Sequence, residues 1–171
     1  MSQIYFISDT HLGSRYWASV RGFSSPASMD DWILQDWVNT VKPGDTVYHL
    51  GDVANNSHSL AKLKDVPGRK ILVKGNHDIF KLEYYADVFK DIRALHQVDF
   101  GINNVIFTHI PVAKEQLECF GFNVHGHVHQ IDKTSPADLR YINICFEQRV
   151  KSRKDIFVPI EEIDEKIKLL I

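Results

Sequence analysis

Five short polar clusters hold the residue types that catalysis needs: Asp9-Thr10-His11, Gly51-Asp52, Gly75-Asn76-His77-Asp78, Thr108-His109 and Gly126-His127-Val128-His129. Asp9 and His11, two apart at the end of an extended segment, can point the same way. They offer a carboxylate and an imidazole, half of a metal site. Asp52 has two carboxylate oxygens and can bridge two cations, while Gly51 before it permits close backbone approach. Asn76 brings a neutral amide oxygen, which binds a cation without cancelling its charge. His109 and His127 can complete that second ion, and His129 the first. His77, next to Asn76, suits proton transfer. Together the clusters supply the ligands of a two-metal site. Singly, each has a plainer explanation: a turn for Gly75-Asn76-His77-Asp78, a capping carboxylate for Asp9. His125 lies in the same run and reads as structural. His49, His58 and His96 have no partner at a telling spacing and read as surface or satisfied core residues.

Every cluster directly follows an apolar run. In open α/β sheets, ligand sites gather beyond the carboxyl ends of the strands, so five distant segments can converge on one crevice. Ile4 to Ile7, Thr46 to Leu50 and Lys70 to Lys74 read as strands. Between them, a helix is expected from near Met29, with Trp32, Ile33, Trp37 and Val41 at helical spacing and Pro43-Gly44 as its end. Ser14 to Ser28 lacks a period and reads as a loop, and Leu60 to Leu63 as part of a short helix. A helical segment around Phe80 to Phe89 closes a βαβ-like first half. The second half is richer in strands: Ile92 to Phe100, Asn104 to Phe107, Phe122 to Val124 and Tyr141 to Phe146. A hairpin turn is expected at Asn103-Asn104 and one helix near Ala113 to Glu118. Ile160, Ile163, Ile167 and Leu170 form the apolar stripe of a final packing helix, acidic in its first turns and basic later.

A chain of 171 residues fits one domain spanning residues 1–171, long enough for a substantial core. The formal net charge of -2 provides no large basic field, so long nucleic acid is not an expected partner. There is no secretory pattern at the start and no apolar run long enough to span a bilayer, which points to a cytoplasmic protein without a membrane partner. Cys119 and Cys145 lack a Cys-x-x-Cys arrangement and are expected to be buried free thiols.

Taken in order, Asp9-x-His11, Gly51-Asp52, Gly75-Asn76-His77-Asp78, His109 and Gly126-His127-x-His129 resemble the calcineurin-like metallophosphoesterase superfamily, in particular its small single-domain bacterial and phage phosphoesterases. The resemblance implies an α/β fold, a four-layer α/β/β/α sandwich of two mixed sheets. By motif, one ion would be held by Asp9, His11, Asp52 and His129, the other by Asp52, Asn76, His109 and His127. His77 would stand beside the phosphate rather than on a metal, with Asp78 orienting it and fixing its tautomer. The implied reaction is hydrolysis of a phosphoester by in-line attack of a metal-bridging hydroxide. The mixed N/O ligand set suits divalent transition metals, manganese being expected in vitro and Fe, Zn, Co or Ni being alternatives.

Departures from the family narrow the substrate. Gly51-Asp52 continues as Val53-Ala54-Asn55-Asn56, without the phosphate-binding Arg typical of phosphoprotein phosphatases. The chain is also short for the capping domains of the recombination nucleases. A small phosphodiester, nucleotides included, is the expected substrate; the alternatives are a phosphomonoester or a non-catalytic protein-interaction scaffold. Arg15, Tyr16, Trp17 and Arg21 are the expected substrate-binding residues, because an Arg can hold a phosphate and an aromatic ring can stack on a base. The competing reading is that these aromatics pack the segment onto the sheet.

Overall fold

In the computed structural model, which describes residues 2–99, 104–129, 138–151 and 155–170, apolar runs and short helices alternate as far as the middle of the chain. The order is β1 (Ile4–Ile7), α1 (Arg15–Val20), α2 (Pro26–Thr40), β2 (Thr46–His49), α3 (Ser57–Ala61), β3 (Arg69–Val73), α4 (Leu82–Ala86) and β4 (Asp91–Arg93). Then follow β5 (His96–Asp99), β6 (Asn104–Thr108), α5 (Leu117–Phe120), β7 (Phe122–His125), β8 (Tyr141–Asn143), α6 (Phe146–Lys151), β9 (Val158–Pro159) and α7 (Ile160–Lys168). One sheet has the order β4-β3-β2-β1-β9 and the other β5-β6-β7-β8. β1 to β4 run parallel, as do β6 to β8, while β9 and β5 are antiparallel edge strands. Both sheets are therefore mixed, and with their covering helices they form the α/β/β/α sandwich.

Strand alternation divides the apolar side chains between two cores. Ile7, Val47 and Leu72 face the helices, joined by Met29, Ile33 and Trp37 of α2. Phe6 and Val73 point the other way and meet Val105, Phe107, Val124 and Ile142 between the sheets. Phe6 stacks on Phe107 with centroids 4.2 Å apart, tying the sheets together directly. Ile163 and Ile167 of α7 join this second core, as the apolar stripe of that helix required.

Several boundaries differ from the sequence reading. Ser14 to Ser28 is not a loop: the Ser14 side chain accepts from Trp17 N–H and starts α1, too short at six residues to display a period. α2 begins one turn before Met29, because Ser25, just ahead of Pro26, forms a reciprocal capping box with Ser28 in the first turn. The run from Ile92 is two strands, β4 and β5, in different sheets. Tyr141 to Phe146 is strand only as far as Asn143, and Phe146 opens α6. Residues 100–103, with most of the expected turn at Asn103-Asn104, lie outside the described residues. Cys145 is buried as expected but Cys119 is exposed; both are free.

Candidate dimetal centre

All five clusters lie at or just past the carboxyl ends of parallel strands, those of β1, β2 and β3 in one sheet and of β6 and β7 in the other. Backbone bonds join the emerging loops. Asp9 N–H donates to Gly51 C=O at 3.0 Å, His11 N–H to Asp52 C=O at 3.0 Å, and Gly126 N–H to His109 C=O at 3.1 Å. The sheets are bridged where His127 N–H donates to the Asp9 carboxylate at 3.0 and 3.1 Å. This crowding explains two glycines. Gly51 has φ +91°, and a Cβ there would lie 2.5 Å from Gly75 N and 2.8 Å from His109 Nδ1. At Gly126 a Cβ would overlap Ser8 Oγ and the Asp9 carboxylate.

Among the described residues, four non-glycine residues have left-handed backbone: Asp9 (φ 58°), His11 (φ 48°), Asp52 (φ 57°) and His127 (φ 65°). Such conformations cost free energy and concentrate where a side chain must be aimed. All four were singled out as metal ligands from their types and spacing.

Their side chains fall into two groups close enough to hold a cation: Asp9, His11 and His129, and Asp52, His109 and His127. In the first, His11 Nε2 and His129 Nε2 are 3.4 Å apart, and His129 Nε2 is 3.4 Å from Asp9 Oδ1. In the second, His109 Nε2 is 3.4 Å from Asp52 Oδ1 and 2.9 Å from Asn76 Oδ1. Asp52 Oδ2 reaches back to 3.6 Å from His11 Nε2, so the carboxylate lies between the groups.

The electrostatics suit cations. Burial pushes His11 down to about pKa 3, against the pull of Asp52, so its lone pair is free at neutral pH. Burial also raises the Asp9 carboxyl, opposed by His109, the Ser8 hydroxyl, His129 and the His127 N–H. Asp52 behaves differently: despite burial, its bond to His109 and that residue's charge bring it down to about 2. Against burial, the pKa of His109 is raised by its bond to Asp52 and the charges of Asp9 and Asp52. With Nδ1 2.7 Å from Leu50 C=O and so protonated, the Nε2 proton is the one a cation would displace to use that nitrogen. Electron-pair donors facing one another at such distances, with imidazole and carboxylate mixed, fit two transition-metal ions.

The residues around the ligands correct parts of the sequence reading. Asp78 was expected to orient His77. Its carboxylate instead accepts Asp52 N–H at 2.9 Å, Val53 N–H at 2.9 Å and Gly75 N–H at 2.8 Å, pinning two ligand loops together. Among the described residues it makes no bond to the His77 ring, which is exposed and lies 5.7 Å from the His11 ring. Arg21 was expected to hold substrate. Its guanidinium donates inward, to Glu147 Oε1 at 2.8 Å, Thr10 C=O at 2.9 Å and Asp9 C=O at 2.7 Å. Trp17 packs against the helix-side core, as the competing reading held, and its ring stacks on that of His129 with centroids 3.9 Å apart. Arg15 and Tyr16 are exposed on α1. His49 is a satisfied core residue, fully buried, with Nε2 2.8 Å from Thr10 Oγ1 and Nδ1 accepting Gly51 N–H. His125 is buried, its Nδ1 2.8 Å from Gly126 C=O. Glu147 was missed. It follows the Tyr141-to-Phe146 run just as the other clusters follow theirs, and the strand-end rule would have found it.

Beyond the carboxyl ends of the parallel strands of two packed sheets, these donors gather into a candidate site for cations. The chain matches the calcineurin-like phosphoesterase superfamily domain over residues 2–153 and belongs to that superfamily. An uncharacterized protein of Methanocaldococcus jannaschii is 27% identical over 172 residues, covering 97% of this chain and 86% of the relative. The gene 66 protein of Mycobacterium phage D29 is 25% identical over 198 residues, covering 98% and 96%. Among solved structures, a protein of unknown function from Aquifex aeolicus is 27% identical with a TM-score of 0.77, covering 96% of this chain and 99% of that one. No helix among the described residues is long and apolar enough to cross a membrane.

Proposed function

We propose that the protein is a dimetal-dependent hydrolase of a small phosphodiester, with Asp9, His11, Asp52 and His129 holding one ion and Asp52, Asn76, His109 and His127 the other. The observation that carries this reading is the position of Asp52, one oxygen 3.6 Å from His11 Nε2 and the other 3.4 Å from His109 Nε2. Two divalent ions held there would supply Lewis acidity and acidify a water for attack on phosphorus.

The protein's own groups do the rest. Asp9 and Asp52 bring two negative charges to a site for two divalent cations, so net positive charge remains to bind an anionic phosphoester. His77, exposed beside His11, is suited to protonate the leaving alkoxide at its imidazole nitrogen. Diester preference is supported by Arg21. Its donors are taken by Glu147 and two backbone carbonyls, which removes a guanidinium that a doubly charged monoester would want.

The test compares bis-p-nitrophenyl phosphate with p-nitrophenyl phosphate in the presence of manganese. Faster turnover of the diester is expected. Preference for the monoester would reverse the substrate assignment, and inertness toward both without bound metal would favour a protein-interaction scaffold.

A further inference from the structure

Behind His129 stands a set of polar side chains outside all five clusters. His129 Nε2 faces Asp9 and His11, while its Nδ1 is 2.7 Å from Glu147 Oε2 and 3.3 Å from Cys145 Sγ. The Cys145 thiol donates to the same Glu147 oxygen at 3.1 Å. Arg21 grips the other oxygen, Oε1, through Nε and Nη2, both at 2.8 Å. It also spans the carbonyls of Asp9 and Thr10 and lies 3.9 Å over the Phe146 ring. A continuous chain of contacts thus runs from the backbone of the first ligand loop, through Arg21 and Glu147, to the ring of the last ligand.

His129, Cys145 and Glu147 are close enough to bind a cation of their own. Arg21 argues against that use. A buried guanidinium already pairs with Glu147 and would repel a second cation on the same carboxylate. What a carboxylate at 2.7 Å requires of Nδ1 is a proton. A neutral imidazole with Nδ1–H keeps its lone pair on Nε2, aimed at Asp9 and His11. Trp17, stacked on the ring, limits its rotation.

We propose that Glu147, fixed by Arg21, is the positioning residue that sets the tautomer and ring orientation of His129 for the ion it shares with Asp9 and His11. This rests on the dimetal reading for its consequence, but not for its geometry. The first test therefore uses wild-type, 15N-labelled protein without added metal, at a pH above the range of histidine protonation. Long-range proton–nitrogen correlations should show His129 protonated on Nδ1; a proton on Nε2 overturns the proposal whatever the enzyme does.

The second test is calorimetric titration with manganese. Glu147→Ala should weaken one of the two ions by about 10–100-fold and leave the other nearly unchanged. Glu147→Gln, which can still accept the Nδ1 proton, should recover much of the loss. Equal affinities in wild type and Glu147→Ala would overturn the positioning role. Should Glu147→Ala fail to fold by circular dichroism, the wild-type tautomer decides alone. Failure of wild type to bind any manganese would sink the dimetal reading, and the tautomer would still judge Glu147.

Discussion

The two ligand groups are held in place by different means. Around Asp9, His11 and His129 side chains add to the backbone bonds of Asp9 and His11: Trp17 against the His129 ring, Glu147 on its Nδ1, and Arg21 behind Glu147. Around Asp52, Asn76 and His109 the support comes from backbone. Asp78 gathers three N–H groups, His77 N–H donates to Asp52 Oδ1 at 2.8 Å, and Leu50 C=O faces His109 Nδ1. The first group lies under α1, whereas Asn76 and His77 on the second side are exposed. A ligand group walled by side chains is suited to retain its ion, and one on an open backbone clamp is suited to meet substrate. Mutations should separate the two.

Asp52 belongs to both sides, so Asp52→Asn should have the largest effect and reduce diester hydrolysis to background at any manganese concentration. Recovery at high manganese would mean that it serves only one ion. Next comes His77→Ala, which acts on the open side alone. A loss of roughly 10²–10⁴-fold in kcat with both ions retained is expected of a lost proton donor. Undiminished turnover would remove His77 from the reaction, and a lost ion would make it a ligand.

Asp78→Ala probes the backbone clamp. Three N–H groups would lose their acceptor, at roughly 1–3 kcal/mol for each one left buried, so the midpoint of urea unfolding should fall clearly. An unchanged midpoint with diminished kcat would return Asp78 to the task of orienting His77.

The smallest effect concerns pH. Burial, followed by the charge of His109, holds His49 at about pKa 3 against an ordinary 6.5. Between these values the unfolded chain binds a proton that the folded chain does not, so this contribution to stability is lost as pH falls below 6.5. His49→Gln should show a shallower fall in Tm across that window than wild type; equal slopes would show that other groups dominate acid unfolding.

The parts of the site that could be read from sequence share one property. Asp9, His11, Asp52, Asn76, His109, His127 and His129 each have a residue type with few uses at a strand end, and the parallel strands of the two sheets bring those ends together in the candidate site. The directions in which the buttresses Arg21 and Asp78 point have no such signature. Arg21 looks like a substrate clamp until its donors are traced inward, because nothing in Ser14 to Ser28 indicates which way a side chain turns. Asp78 beside His77 suggests a pair, yet the positions of Asp52, Val53 and Gly75 N–H come from tertiary structure. α1 is hard to read for a related reason: it has six residues, and the Ser14 cap, not periodicity, defines its start, whereas α4 falls within the helical segment expected around Phe80 to Phe89.

The most direct measurement is the number of manganese ions bound per chain, by calorimetric titration of metal-free wild type and Asp52→Asn. Two ions are expected on wild type, with both weakened together in the variant because one carboxylate lies between the groups. Two ions of unchanged affinity in Asp52→Asn, or none on wild type, would contradict the shared dimetal centre.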